Sequence, residues 1–144
     1  MDSYIAKFEP DEGGYIVTFP DVPEAVTGGS DLEEARANAA EALELALLTY
    51  AADGRPIPVA SSDSKRDGTY RSVPVLAAVA AKIAFITAFH ASGMTRVALA
   101  ARMGKSETEI RRMLAPYHQT KLPAIEAGLA ALGKRLIVSV AEAA

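Results

Sequence analysis

The hydrophobic positions along the chain change period as it runs. Ser3 to Glu9 and Gly14 to Phe19 are short and rich in β-branched and aromatic residues, with Tyr4, Ala6 and Phe8 alternating against Ile5 and Lys7. Pro10-Asp11-Glu12-Gly13 separates the two runs, so together they predict an antiparallel hairpin. A turn over Pro20 to Pro23 follows, and Ala25-Val26-Thr27 predicts a third short strand closed by Gly28-Gly29. From Ser30 the period becomes helical, with Leu32, Ala35, Ala39, Leu43, Ala46, Leu47 and Tyr50 on one stripe. Ser30 is the expected N-cap, Glu33 its capping-box partner, and Gly54 the stop. Residues 56–69 form a polar, proline- and glycine-punctuated connector, and Tyr70 to Val73 predicts an additional strand.

The rest of the chain keeps the helical period. Val75 to Ala91 predicts an alanine-rich helix with Leu76, Val79, Ile83, Ile86 and Phe89 on its core side. Thr95 to Met103, Ser106 to about Leu114, and Pro123 to Leu132 predict three more helices, and Gly133 ends the last. Arg135 to Val140 reads as a strand. A lone strand cannot satisfy its edges in a helical domain, so it is expected to pair with its own copy in a second subunit, giving a two-fold dimer with tetramers left open. The expected fold class is α+β: a small N-terminal antiparallel sheet with one helix over residues 1–55, a linker over 56–72, and a helix–turn–helix domain with a C-terminal strand over 73–144.

Arg96 to Ala115 fits a helix–turn–helix closely. Gly104 stands where the turn needs positive φ, and Ala100 is small enough to let two helices cross. Leu99, Met103, Ile110 and Met113 are apolar where the pair faces its core, and Ser106 with Glu109 makes a capping box. The second helix then presents Ser106, Thr108, Arg111 and Arg112 outward, residue types that meet phosphates and base edges. Glu107 at its entering end suits a cytosine amino group, or equally a helix N-terminus. Arg96, Lys105, Gln119 and Lys121 are the expected phosphate anchors.

Composition narrows the class. There is no cysteine, hence no disulfide framework and no thiolate metal site, which fits a reducing compartment. No run of 18 apolar residues exists, and the most apolar stretch, Val73 to Phe89, carries Lys82. The first residues lack a basic region followed by an apolar core, and the expected location is the cytoplasm, away from membranes. The net charge of −3 hides a division. Residues 1–60 hold 12 acidic and three basic residues, a net of −9, while residues 73–144 hold nine basic and four acidic, a net of +5. Such a split suits two partners: a cationic surface for the first half and an anion for the second.

The run from Gly13 to Leu43 (GGYIVTFPDVPEAVTGGSDLEEARANAAEAL), taken with Val97 to Leu114 and the tail from Pro116 to Leu136, resembles the HicB antitoxins of bacterial toxin–antitoxin pairs, in their helix–turn–helix branch. The resemblance implies a partial ribonuclease-H-like sheet domain that covers the active site of a HicA-like toxin, a small basic RNA-cleaving protein. It also implies a C-terminal domain that binds the operator of its own operon as a dimer. The candidate toxin contacts are the hairpin turn Asp11-Glu12 and the loop residues Phe19, Asp21, Val22 and Glu24, where two prolines pre-order the chain.

Catalysis is not expected. Ribonuclease-H chemistry needs convergent carboxylates for two metal ions, and Ser3 to Phe8 contains no acid. Glu33, Glu34, Glu41 and Glu44 read as surface charge, His90 as a capping or packing residue, and His118 as a phosphate contact. No catalytic residue, metal or cofactor is therefore expected. The competing reading is a one-component transcription regulator whose N-terminal domain senses a small molecule.

Overall fold

The computed structural model describes residues 2–61 and 67–143. In chain order the elements are β1 (Ser3–Asp11), β2 (Gly14–Thr18), β3 (Val26–Gly29), α1 (Leu32–Ala52), β4 (Tyr70–Pro74), α2 (Ala77–Ser92), α3 (Arg96–Met103), α4 (Glu107–Leu114) and α5 (Leu122–Ala131). The class is α+β. The four strands form one antiparallel sheet in the order β3-β2-β1-β4.

The β1–β2 hairpin closes at Asp11 opposite Gly14, leaving the two-residue loop Glu12-Gly13. Both loop residues take positive φ (47° and 85°), as the right-handed twist of a tight hairpin requires. Pro10 sits inside β1 without breaking a ladder. Phe8 donates its N–H away from β2, to the carbonyl of Thr69 at 2.8 Å. The nitrogen of Pro10, two residues on, points the same way but past the end of β4. Tyr4, Ala6, Phe8, Val17 and Val73 turn to the inner face, where Ala35, Ala39, Leu43 and Leu47 of α1 cover them.

Asp31, not Ser30, caps α1. Its carboxylate accepts from the Glu34 N–H at 2.8 Å, and the Ser30 hydroxyl donates to the Glu34 side chain at 2.9 Å. The capping pattern therefore lies one residue further on than the Ser30–Glu33 spacing suggests. Gly54 follows the helix end with φ of 69°.

α2 is the spine of the molecule. Ile83 and Ile86 enter the sheet-side core, while Ala81 and Phe85 enter a second core with Leu99, Ala100, Ile110, Met113, Ile125 and Leu129. Here the expected stripe is corrected. Leu76 is the exposed N-cap residue, Phe89 is only partly buried, and Phe85 carries the contact to α5 instead. A helix that is apolar all round has no single core side for periodicity to find. Beyond Gly133, residues 134–143 carry no helix or strand within this single chain. Ladder hydrogen bonds need a neighbouring strand, so the expected strand over Arg135 to Val140 has no ladder inside one copy.

Candidate functional site

α3 and α4 are fixed by local chemistry at their shared turn. Gly104 takes φ of 65° and donates to the carbonyls of Ala100 and Ala101, closing α3. Ser106 then caps α4: its hydroxyl accepts from the Glu109 N–H at 3.2 Å, and the Glu109 carboxylate accepts from the Ser106 N–H at 3.5 Å. The Ser106 N–H and then the Ser106 hydroxyl, both donating to the Glu109 carboxylate, hold that carboxyl below its ordinary pKa, with Lys105 adding to the effect. Thr95 caps α3 in the same way, accepting from the Ala98 N–H at 3.0 Å. Leu99, Ile110 and Met113 are buried beneath the pair and Met103 is partly so.

The opposite face is polar and basic. Arg96, Ser106, Thr108, Arg111 and Arg112 are exposed, while Lys105 and Glu107 are half-buried. One carboxylate oxygen of Glu107 lies 3.8 Å from Arg96 Nε and 3.5 Å from Arg111 Nη2, and Lys105 Nζ lies 3.5 Å from Glu109. Exposed pairs of this kind contribute about 0–1 kcal/mol, so an incoming phosphate can replace them. Of the nine expected nucleic-acid contacts, Arg96, Glu107 and Arg111 are joined by these pairs, and Lys105, Ser106, Thr108 and Arg112 lie in the adjoining turn and on α4. Gln119 and Lys121 are exposed beyond the C-terminal end of α4, away from the Ser106 end.

The segment after α4 is fastened to the rest of the molecule by residues that the sequence did not single out for such a role. Lys82 of α2 is buried and donates to the His118 carbonyl at 3.0 Å and to the Thr120 hydroxyl at 2.6 Å. The backbone of His118 is thus engaged inside the protein. Tyr117 and Thr49 of α1 share a hydrogen bond of 2.7 Å, and Arg102 donates to the Ala131 carbonyl at the end of α5. The one advance signal was Lys82 itself, a lone charge inside an apolar run.

The expected toxin contacts separate. Asp11 and Glu12 are exposed at the hairpin tip, and Glu24 is exposed within the Val22–Ala25 turn. Phe19 and Val22 are buried in the sheet-side core and present nothing to a partner. Phe19 continues the inward alternation of Tyr15 and Val17, and the Phe19–Val22 turn carries Val22 in behind it. The Asp21 carboxylate accepts from the Ser61 N–H at 2.8 Å and from its hydroxyl at 2.7 Å, which ties the connector to this loop. Among the described residues no group of three or more His, Asp or Glu side chains is placed to hold a metal ion, and no single helix is long and apolar enough to cross a membrane.

The chain thus joins a sheet layer with a negative excess to a helix pair with a basic face. A family model described as the HicB-like antitoxin of bacterial toxin–antitoxin systems matches residues 3–84, more than half of the chain. The chain belongs to this family of antitoxins. It is 40% identical over 133 residues to Antitoxin HicB 2 of Photorhabdus laumondii, covering 92% of each chain. It is 40% identical over 125 residues to Antitoxin HicB of Escherichia coli K12, covering 87% of this chain and 88% of that one. It is 29% identical over 140 residues to Antitoxin HicB of Pseudomonas fluorescens, covering 97% and 94% respectively. These matches run through α3 and α4, beyond the end of the family match.

Proposed function

We propose that the chain neutralises a small basic HicA-like ribonuclease toxin through its sheet layer, and represses its own operon by binding operator DNA through α4 as a dimer. The observation that carries the DNA half is the α3–α4 turn, whose left-handed glycine and capping box hold Arg111 and Arg112 exposed on one short helix. In such a motif the N-terminal end of the second helix enters the major groove, so Ser106 and Thr108 lead and Arg111 follows one turn behind. Glu107, set between Arg96 and Arg111, orients both guanidinium groups before DNA arrives. Arg111 and Arg112 read guanine or clamp phosphate, and Arg96, Lys105, Gln119 and Lys121 set register on the backbone.

The toxin half is supported by family membership and by the −9 net charge of residues 1–60, which suits a basic partner. Asp11, Glu12, Asp21 and Glu24 are its charged candidates. The test has two arms. Arg111→Ala is expected to weaken operator binding by about 1–3 kcal/mol in a gel-shift titration while leaving toxin capture intact. Unchanged operator binding would remove α4 from the mechanism. Co-expression with the product of a short neighbouring reading frame that encodes a basic, histidine-containing protein is expected to yield a stable complex and to rescue growth. Absence of both would overturn the toxin half.

A further inference from the structure

Three large apolar side chains of the sheet layer stand in solvent on one flank: Val26 (60% exposed), Leu45 (53%) and Ile16 (43%). Val26 opposes Thr18 and Ile16 opposes Gly28, so Val26 and Ile16 are diagonal neighbours on the outer face of the sheet. Val26 and Leu45 line one notch of about 320 Å³ between β3 and α1, shared with Glu24, Thr49 and Arg55. Asn38 fixes this geometry by donating to the Gly28 carbonyl at 2.8 Å, which sets its side of α1 against the free edge of β3. Glu34, Asn38, Glu41 and Leu45 recur at helical spacing, so Glu34 and Glu41 border the same edge.

We infer that this β3–α1 flank is the toxin-docking surface, with Val26 and Leu45 as its apolar seat and Glu24, Glu34 and Glu41 as its acidic rim. The inference rests on the toxin half of the proposed function and says where that partner sits. Three observations set the chemistry of the occupant. The notch is apolar at its centre and acidic around it, the pattern of an interface core with a charged rim. The one cation among its lining residues, Arg55, lies over the Tyr50 ring at 4.0 Å and pairs with Asp53 at 3.7 Å, outside the acidic rim of Glu24, Glu34 and Glu41. The Glu44 carboxyl is pushed above its ordinary value by burial and then by the charge of Glu41, a repulsion that a cationic partner relieves. The occupant is therefore a basic protein surface carrying an apolar side chain between Lys or Arg residues. It docks by side chains and not by adding a strand, because β3 is only four residues long and Asn38 already takes the Gly28 carbonyl. Among the residues considered above for the toxin, Glu24 alone belongs to this flank.

The test uses the full chain co-expressed with the basic toxin of the neighbouring reading frame. Val26→Asp combined with Leu45→Asp is expected to cut toxin affinity at least tenfold and to abolish growth rescue. Its thermal unfolding midpoint should stay at the wild-type value, because both positions are exposed. Glu24→Lys with Glu41→Lys is expected to slow association and to weaken its salt dependence. Wild-type capture accompanied by full capture in the folded Val26/Leu45 variant would overturn the location alone. Failure of the wild-type chain to capture the toxin would overturn the toxin reading and this inference together.

Discussion

Lys82 lies among apolar side chains with 5% of its surface exposed, and burial pushes its ammonium down to about 8. Its two hydrogen-bond acceptors are neutral oxygens, which offset the lost hydration without an opposite charge. The folded value lies below the unfolded one of 10.5. Below about pH 8 both states hold the proton and the burial penalty is present in full. As pH rises from there towards 10.5 the folded chain sheds the proton first, and the penalty fades. Wild-type stability is thus expected to rise relative to Lys82→Met across that window, by at most about 1.4 kcal/mol per pH unit. Urea titrations of both proteins at about pH 7 and about pH 10 check it, and a constant difference would contradict it. Gly128 is a second single-residue constraint. A Cβ there would press into the fully buried Phe85 ring, so Gly128→Ala is expected to destabilise the chain by about 1–3 kcal/mol. Thermal unfolding measures it. The sequence displayed Lys82 as an anomaly and left Gly128 unmarked, since close approach between α2 and α5 is a property of packing and has no local signature.

At the scale of elements, α4 depends on its cap. It has eight residues, too few to persist without tertiary support, and the Glu109 amide in its first turn is satisfied by the Ser106 hydroxyl. Ser106→Ala is expected to cost about 0.5–2 kcal/mol of stability and to weaken operator binding beyond the loss of one hydroxyl contact. Ser106→Asp restores the cap, so it should recover the melting temperature without recovering affinity for a polyanion. Recovery of both would show that the hydroxyl serves only as a cap. The helix pair was legible because its signals are local: Gly104, Ala100 and the Ser106–Glu109 spacing all sit within one turn of their targets. The cap of α1 slipped by one residue because Ser30 and Asp31 are both good caps with a glutamate three positions on. Phe19 and Val22 read as loop residues because prolines flank them, although the alternation Tyr15, Val17, Phe19 pointed inward throughout. The flank of Val26 and Leu45 was not legible, since it joins residues far apart in sequence through the placement of Asn38.

Across the whole molecule, the charge division and the two cores on either side of α2 describe one body with two chemically distinct ends, and the C-terminal segment is the proposed contact between two such bodies. Ile137, Val138 and Val140 are exposed at 75%, 74% and 96%, an arrangement that a lone chain in water does not favour. Lys134, Arg135 and Leu136 enter a groove of about 770 Å³ that is also lined by Tyr4, the connector residues 57–60 and the apolar side of α2. A second copy of Leu136 to Val140, paired antiparallel with the first, would satisfy the strand edges and bury these side chains around a two-fold axis. Pairing also sets the DNA requirement. In the proposed dimer two α4 helices joined in one particle would engage half-sites about 34 Å apart, and the second contact would be intramolecular, so affinity for the full operator is expected to exceed that of one half-site by about 10²–10⁴. A chain ending at Leu136 keeps α3, α4 and both cores, Leu136 included, and is expected to sediment as a monomer. It should bind an isolated half-site as the full chain does and lose the extra affinity for the full operator. A truncated chain that remains dimeric, or that binds the full operator undiminished, would exclude the terminal strand as the dimer contact and move the search to the exposed residues of α2 and α5.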